Sequence, residues 1–299
     1  MAVNREIWRP DIIESLFKAN AFLTRAFNAD EMVVGGRIVH IPQAGAPSNV
    51  ERNRVNLPAP IVKRADTDIV YVLDEYTSDP RLITDIDKKE LSYDKRASII
   101  REDTGKMMEV SGDNMLYNWA VNIPAGSKVL TTGAAASGTA PGATGNRKII
   151  TEADMRKAQL LLNNQNVAKE GRVMVLPANF LDQLMSDNNL KYAFQQVIDL
   201  KAGQVGRLYG FDLYERSGVL VETTGGTVKL PEAASATDDN ECALFWQESA
   251  VERALGDVEI FDNPGKAEYY GDVVSFLLRL GGRNRRADNK GIGYITARP

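Results

Sequence analysis

Residues 201–217 read KAGQVGRLYGFDLYERS, with Gly203, Gly206 and Gly210 beside Lys201 and Arg207. Two folds compete for such text. A glycine-rich loop feeding a helix N-terminus cradles a phosphate. A glycine turn feeding a strand is only a change of chain direction. The residues after Gly210 choose between them. Phe211, Leu213 and Glu215 alternate with Asp212 and Tyr214, the period of a strand. The spacing is also not the G-x-G-x-x-G of a dinucleotide loop. The stretch is therefore expected to be a tightly turned structural loop entering a strand at 211–215, with Arg207 and Arg216 as candidates for structural or intersubunit ion pairs.

The sequence on either side of it extends this picture. Upstream, RVMVL at 172–176 has the apolar continuity of a buried strand, and Pro177 suits the start of a following helix, ANFLDQLM. Before that, Thr151 opens a helix to about Val167, with Met155, Ala158 and Leu162 on one face. Downstream come strand candidates at 227–230 and 242–247, then VEIFD, the long run AEYYGDVVSFLLRLGGR, and GIGYITAR. Residues 131–147, TTGAAASGTAPGATGNR, are small and low in complexity, and are expected to connect two units flexibly.

The N-terminal half is organised differently. Residues 11–28 predict a short amphipathic helix with Ile12, Leu16, Leu23 and Phe27 on one face. GRIVHIP, at 36–42, predicts a strand with Ile38 and His40 on one side and Val39 and Ile41 on the other. A polar segment broken by Pro47, Pro58 and Pro60 follows, and DTDIVYVLDEY returns as a second strand. So long a connection reads as an excursion from the body. Residues 88–119 carry a stripe at steps of three and four: Tyr93, Ala97, Ile100, Thr104, Met107, Ser111, Met115 and Trp119. A helix of that length spans about 48 Å. Gly105 and Gly112 within it are either tolerated defects or points of close approach by another element.

The chemistry of an enzyme is hard to place. The 299 residues include a single His40 and a single Cys242, so neither a histidine-based relay nor a zinc site assembles easily, and no disulfide within the chain is possible. Gly105-Lys106 and Gly265-Lys266 lack the Ser or Thr of a Walker motif. The D-x-D pairs Asp66/Asp68 and Asp85/Asp87 lack the rest of a calcium loop and are expected to flank strands and cap the long helix. No catalytic, cofactor or metal residue is assigned. The net charge of −4 exerts no global pull on nucleic acid. The cluster Arg279, Arg283, Arg285, Arg286 and Lys290 has no interleaved aromatics for base stacking, and is better read as intersubunit or solvated ion pairs. No run approaches the ~20 apolar residues of a membrane helix, and a single cysteine is compatible with a reducing compartment.

The order of these parts resembles the major capsid proteins of tailed phages. EGRVMVLPANFLDQLM at 170–185 is similar to that family's strand–proline–helix segment. GQVGRLYGFDLYERS at 203–217 resembles its turn leading to Gly-Phe and a strand, and AEYYGDVVSFLLRLGGRNRRADNKGIGYI is like its closing strand. The resemblance implies an α+β tailed-phage major capsid fold. On it, residues 1–30 are an N-terminal arm, and 31–125 a peripheral domain with an extended loop at 34–74 and a spine helix at 88–119. Residues 126–255 are an axial domain, and 256–299 return to the peripheral domain. The implied function is a structural subunit that self-assembles through hexamers and pentamers into an icosahedral head around double-stranded DNA, in the virion, assembled in the host cytoplasm. The arm and the excursion have apolar faces that cannot be buried locally, and burial between subunits would solve this.

The candidate intersubunit contacts are Ile12, Leu16, Phe27, Lys63, Arg207, Arg216, Arg283, Arg285 and Arg286. Lys63 is the only lysine of the excursion, hence the only candidate there for the lysine–asparagine cross-link that some members form. The expected partners are further copies of the chain, a separate scaffolding protein (the arm begins almost at Met1), a portal, a decoration protein and weakly held DNA, with no membrane and no cofactor. An encapsulin-like compartment shell, another virion part, or a phosphate-binding enzyme using the loop at 203–210 are the alternatives. Deleting residues 43–60 is expected to leave the subunit folded and to block shell formation.

Overall fold

A computed structural model describes residues 18, 20–35, 37–85, 94–186 and 204–298. In chain order the strands and helices are β1 Phe27–Asn28, β2 Ile38–Gln43, β3 Thr67–Val72, β4 Asp74–Thr77, β5 Arg81–Thr84, α1 Lys95–Ala120, β6 Lys128–Leu130, β7 Ala135–Ser137, β8 Asn146–Lys148, α2 Glu152–Asn164, β9 Arg172–Pro177, α3 Ala178–Ser186, β10 Gln204–Leu208, β11 Phe211–Arg216, β12 Leu220–Glu222, β13 Val228–Lys229, β14 Asn240–Gln247, β15 Val251–Lys266, β16 Gly271–Asn284 and β17 Ile292–Thr296.

Two sheets dominate. An eight-stranded mixed sheet runs β10-β11-β9-β14-β12-β13, with β17 and β6 joined through β14. Both of its faces are covered, which explains the unbroken apolar text of RVMVL and CALFW. Val173, Val175, Cys242, Leu244 and Trp246 face one core with Phe22, Leu116 and Trp119. The alternate residues Met174, Leu176, Ala243 and Phe245 face a second core, where α2 and α3 contribute Met155, Ala158, Leu162, Phe180 and Leu184. The other sheet is five-stranded, β1-β15-β16-β4, with β5 also on β16. Its axis is the long β15–β16 ribbon.

α1 lies between the two sheets. Asp94 caps it by accepting from the Ala97 amide, while Asp85 donates its own amide to the Tyr270 carbonyl. The cap is thus Asp94, not one of the D-x-D aspartates; Asp87 and the expected start of the helix at 88–93 lie outside the described residues. The 26 residues from Lys95 span about 39 Å. Only the C-terminal part of the stripe is in the core: Ser111, Met115 and Trp119 are buried, and Thr104 is exposed.

The opening stretch is a hairpin. Residues 204–208, expected as loop, form β10, which pairs antiparallel with β11 around a two-residue turn between Leu208 and Phe211. Tyr209 and Gly210 both have positive φ, 48° and 80°, as a type I′ turn demands. β11 then lies parallel to β9, with Phe211 opposite Arg172. No helix follows Gly210, so the phosphate loop is excluded by topology.

Four further expectations are corrected. The helix at 11–28 is not continuous: its described part is a 3-10 turn, Ala21–Arg25, followed by β1, which pairs parallel with β15. Adjacent Phe22 and Leu23 are both buried, so tertiary packing overrides the helical stripe. This also overturns the idea that the arm has no local burial. Residues 131–147 are not a plain connection but hold the β7–β8 hairpin, braced by Arg147, whose Nε donates to Asn240 Oδ1 at 2.6 Å. Finally, the chain after 256 does not stay in one sheet. β15 and β16 build the five-stranded sheet, but β17 pairs with β14 and β6 in the eight-stranded one.

Candidate assembly surfaces

The excursion leaves the body as the antiparallel pair β2–β3. At its root, Val39, Ile41 and Tyr71 pack with Ala29, Leu73 and Ala254. The outward face carries His40, whose Nδ1 lies 3.1 Å from Asp68 Oδ2, a partner for a structural histidine. Beyond Gln43 the chain runs through 44–66 without regular structure. There Val50 is 90% exposed, Val55 86%, Leu57 79%, Ile61 102% and Val62 83%. Five apolar side chains in water on one loop form an unpartnered surface, since isolated exposed residues are ordinary but contiguous ones are not.

A cluster of polar ties sets how the excursion meets the body. Gln43 donates its carboxamide to the Arg285 carbonyl at 2.7 Å and accepts from the Ala287 amide at 3.3 Å. Arg285 stacks its guanidinium over Phe27, 3.8 Å from the ring centroid, and its Nε is 3.2 Å from Glu252 Oε2. Burial raises the Glu252 carboxyl above the usual range, with Tyr71 and Arg285 offsetting part of the effect. Burial, then the Glu252 carboxylate, pushes the Tyr71 phenol up. Arm base, excursion root and the end of β16 thus meet at one guanidinium.

The arm is clasped to α1 a little upstream. Phe22 packs edge-on against both Trp119 and Trp246, with centroid distances of 6.1 and 6.2 Å, and the two indoles meet each other at 5.2 Å. Asn20 donates to the Met108 carbonyl and accepts from Arg216 Nη2. This answers the question posed by Gly112: a Cβ there would overlap the Asn20 carboxamide, so the glycine permits close approach. The oxygens of Glu109, Asp113 and Glu232 also converge as a metal-like trio. Their cation is Lys18, whose Nζ is 3.5, 3.1 and 3.2 Å from them. Burial opposes both charged forms, but the pairing wins: Asp113 and Glu232 raise the Lys18 ammonium, and Lys106 and Lys18 hold Glu109 below its ordinary value.

The sequence-based candidates separate into distinct environments. Ile12 and Leu16 lie outside the described residues. Phe27 is half-buried beneath Arg285 of its own chain. Arg216 is enclosed by its own subunit, paired with Asp113 and donating to the Gly218 carbonyl at 3.0 Å, an arrangement that fits the structural of the two ion-pair roles expected for it. Its side chain is 1% exposed. Arg207 is outward, 3.7 Å from Asp212 Oδ1. Arg283 is half-buried on β16 opposite Glu252, and Arg286 makes a two-pronged contact with Asp288 at 2.8 Å each. Lys63 is exposed and has no ion pair among the described residues. Sequence patterns missed Lys18, Asn20, Gln43 and Glu252, because lone polar residues acquire roles only from partners distant in sequence. Gly112 was the one legible signal. Among the described residues no helix is long and apolar enough to cross a membrane.

Comparison with known proteins agrees with this architecture. The family described as phage capsid protein matches residues 21–263. No curated protein is matched by the chain. Among solved structures, one from Mycobacterium phage Che8 superposes with a TM-score of 0.68 at 19% identity, over 98% of both chains. The capsid of Ralstonia phage GP4 gives 0.66 at 13% identity, over 99% of this chain and 95% of that one. The Cyanophage Pam1 capsid gives 0.67 at 9% identity, over 98% and 96%. At these identities the likeness is one of fold, and the family match covers most of the sequence. The chain belongs to the phage capsid protein family, as a major capsid protein of the tailed-phage type and a structural subunit of the shell.

Proposed function

We propose that the subunit assembles through hexamers and pentamers into an icosahedral head that encloses double-stranded DNA, with the loop at 44–66 reaching over the next subunit. The observation that carries this is the exposure of Val50, Val55, Leu57, Ile61 and Val62 on a loop whose root is firmly packed. Roughly 1.5–3 kcal/mol is available for each such side chain on full burial, and closed symmetry repeats the gain at every copy. On this reading the five-stranded sheet with α1 is the peripheral domain, and the eight-stranded sheet with α2 and α3 is the axial domain, gathering at the five-fold and six-fold centres. Residues up to about 30 are the arm. Lys63, Arg207, Arg283 and Arg286 remain the exposed or partly exposed candidates for contacts between subunits.

The further partners are a separate scaffolding protein, a portal and a decoration protein, with assembly in the host cytoplasm. The net charge of −4 supports only weak, non-specific contact with packaged DNA. Nothing in the site geometry favours a phosphate-binding enzyme, and the phage capsid family match favours a head over a cellular compartment shell.

The test is deletion of residues 44–60, which spares Gln43 because that side chain ties the root to Arg285. The variant is expected to keep its circular dichroism and a cooperative melt, and to give no shells by electron microscopy under conditions where the intact chain does. Shells of normal size from the deletion would refute the loop's role. Global unfolding would make the segment part of the core.

A further inference from the structure

A hollow of about 620 Å³ opens where four segments meet: the excursion root at 41–44, the connection of α2 to β9 at 165–168, residues 247–250, and the connection of β16 to β17 at 285–291. Its volume is that of a small-ligand site. The charged residues on its wall are Arg285, Arg286 and Lys290, with no carboxylate among them. Behind the wall stand Glu252 and Asp288, while Glu248 is taken by Arg25. Three cations against two carboxylates leave a positive excess, and a concave surface focuses its field.

The neutral side chains of the wall are mostly committed to one another. Gln165 accepts from the Gly291 amide at 2.9 Å and donates to Ser127 Oγ at 3.0 Å. Gln247 accepts from the Ser249 amide at 2.9 Å and donates to the Glu170 carbonyl at 3.3 Å. With Gln43, these bonds hold the four segments in place and shape the hollow. The cations are far less committed. The Arg285 guanidinium has five N–H donors. It makes one hydrogen bond among the described residues, from Nη1 to the Ser249 carbonyl at 3.3 Å; its Nε faces Glu252 without a hydrogen bond. Stacking over Phe27 fixes its plane. Lys290 Nζ lies 3.5 Å from Asp288 Oδ2, whose carboxylate is already gripped by both prongs of Arg286. Unused N–H donors and a positive excess around one hollow require an anion rich in acceptors. A fixed guanidinium plane beside an ammonium suits the oxygens of phosphate, whereas a single carboxylate brings only two acceptors.

We propose that this hollow binds a phosphate group, with Arg285 and Lys290 as its charged donors. The group is either free phosphate or part of a nucleic-acid backbone. The site is far in the chain from the turn at Tyr209–Gly210 and asks for no catalysis. It belongs to the single subunit, so it stands independently of the shell reading. A bound phosphate would add a tie between the segments that carry the excursion root and the end of β16.

The experiment titrates the full-length, unassembled subunit with inorganic phosphate, against sodium chloride of matched ionic strength, by calorimetry and by melting temperature. Saturable binding and a rising melting temperature are expected. Lys290→Gln removes a charged donor from a side chain that is 52% exposed, and should weaken binding at least about tenfold. Lys290→Arg should keep most of it. Melts without phosphate establish that the variants are folded. A second measurement needs no variant: phosphate should protect Lys290 from an amine-reactive reagent, read by mass spectrometry. A short DNA duplex at equal phosphate concentration separates the two sources. Duplex binding that falls steeply with salt and is weakened by Lys290→Gln assigns the group to nucleic acid; orthophosphate binding without duplex binding assigns it to free phosphate. No saturable binding of either probe, or equal binding by folded Lys290→Gln, would overturn the proposal. So would a fall in shell yield of Lys290→Gln when the wild type binds no phosphate, which would give the hollow to a carboxylate of another copy.

Discussion

Substituting Gly112 by alanine sets two effects of opposite sign against each other. Alanine is a better helix former than glycine by about 1 kcal/mol, and Gly112 is interior to α1, so propensity alone predicts stabilisation. Packing predicts the reverse. The added methyl would occupy the space of the Asn20 carboxamide, which is short and held at both ends. Its displacement would break the bond to the Met108 carbonyl, worth ~0.5–1.5 kcal/mol, and the one from Arg216, worth ~1.5–3 kcal/mol because the donor is charged. The sum exceeds the propensity gain, leaving a net loss of ~1–3.5 kcal/mol. Urea denaturation of the unassembled subunit, followed by the fluorescence of Trp119 and Trp246 beside the clasp, measures it. The control is Asn20→Ala, which removes the obstacle. In that background Gly112→Ala should become stabilising, by up to about 1 kcal/mol. Stabilisation in the wild-type background, or no change of sign in the control, would refute the view that this glycine exists for the arm.

Two other perturbations test the eight-stranded sheet. Burial pushes the Glu222 carboxyl up, but donation from Lys128 and Tyr294 outweighs it, and the group ends below its ordinary value of 4.5. Its stabilising effect is therefore present above about pH 4.5 and lost as acid protonates it in the folded state. Glu222→Ala should cost ~3–5 kcal/mol at neutral pH by stranding Lys128 and Arg298, and should flatten the acid limb of stability against pH; an unchanged acid limb would remove Glu222 from that role. Gly210→Val puts a branched side chain at φ +80° in the β10–β11 turn, and should lower stability by at least ~1–2 kcal/mol. An unaltered melting temperature would show that the turn does not require glycine.

How much of this was legible depended on the range of the interactions. The alternation after Gly210, the apolar run at 172–176, Pro177 before a helix and the β2 alternation of Val39 and Ile41 are local patterns, and each gave the right element. Local patterns failed where contacts from afar dominate. Phe22 and Leu23 broke the helical stripe because both are drawn into a core built by Trp119 and Trp246. β10 read as loop because its strand character comes from pairing with β11. β17 was placed with its sequence neighbours, whereas it pairs with β14, some fifty residues earlier.

The sequence by itself determined the class of the molecule: a mixed chain with one long helix, a buried central strand and a proline-broken excursion, carrying a single histidine and a single cysteine. It did so because periodicity and composition express the demands of backbone hydrogen bonding and burial at short range. The tertiary structure alone decided which polar residues matter. Lys18 became the cation of a carboxylate trio, Arg216 an internal tie, and Arg285 the meeting point of arm and excursion. Charge is a property of a residue, whereas pairing is a property of its surroundings, and those are assembled from segments far apart in the chain.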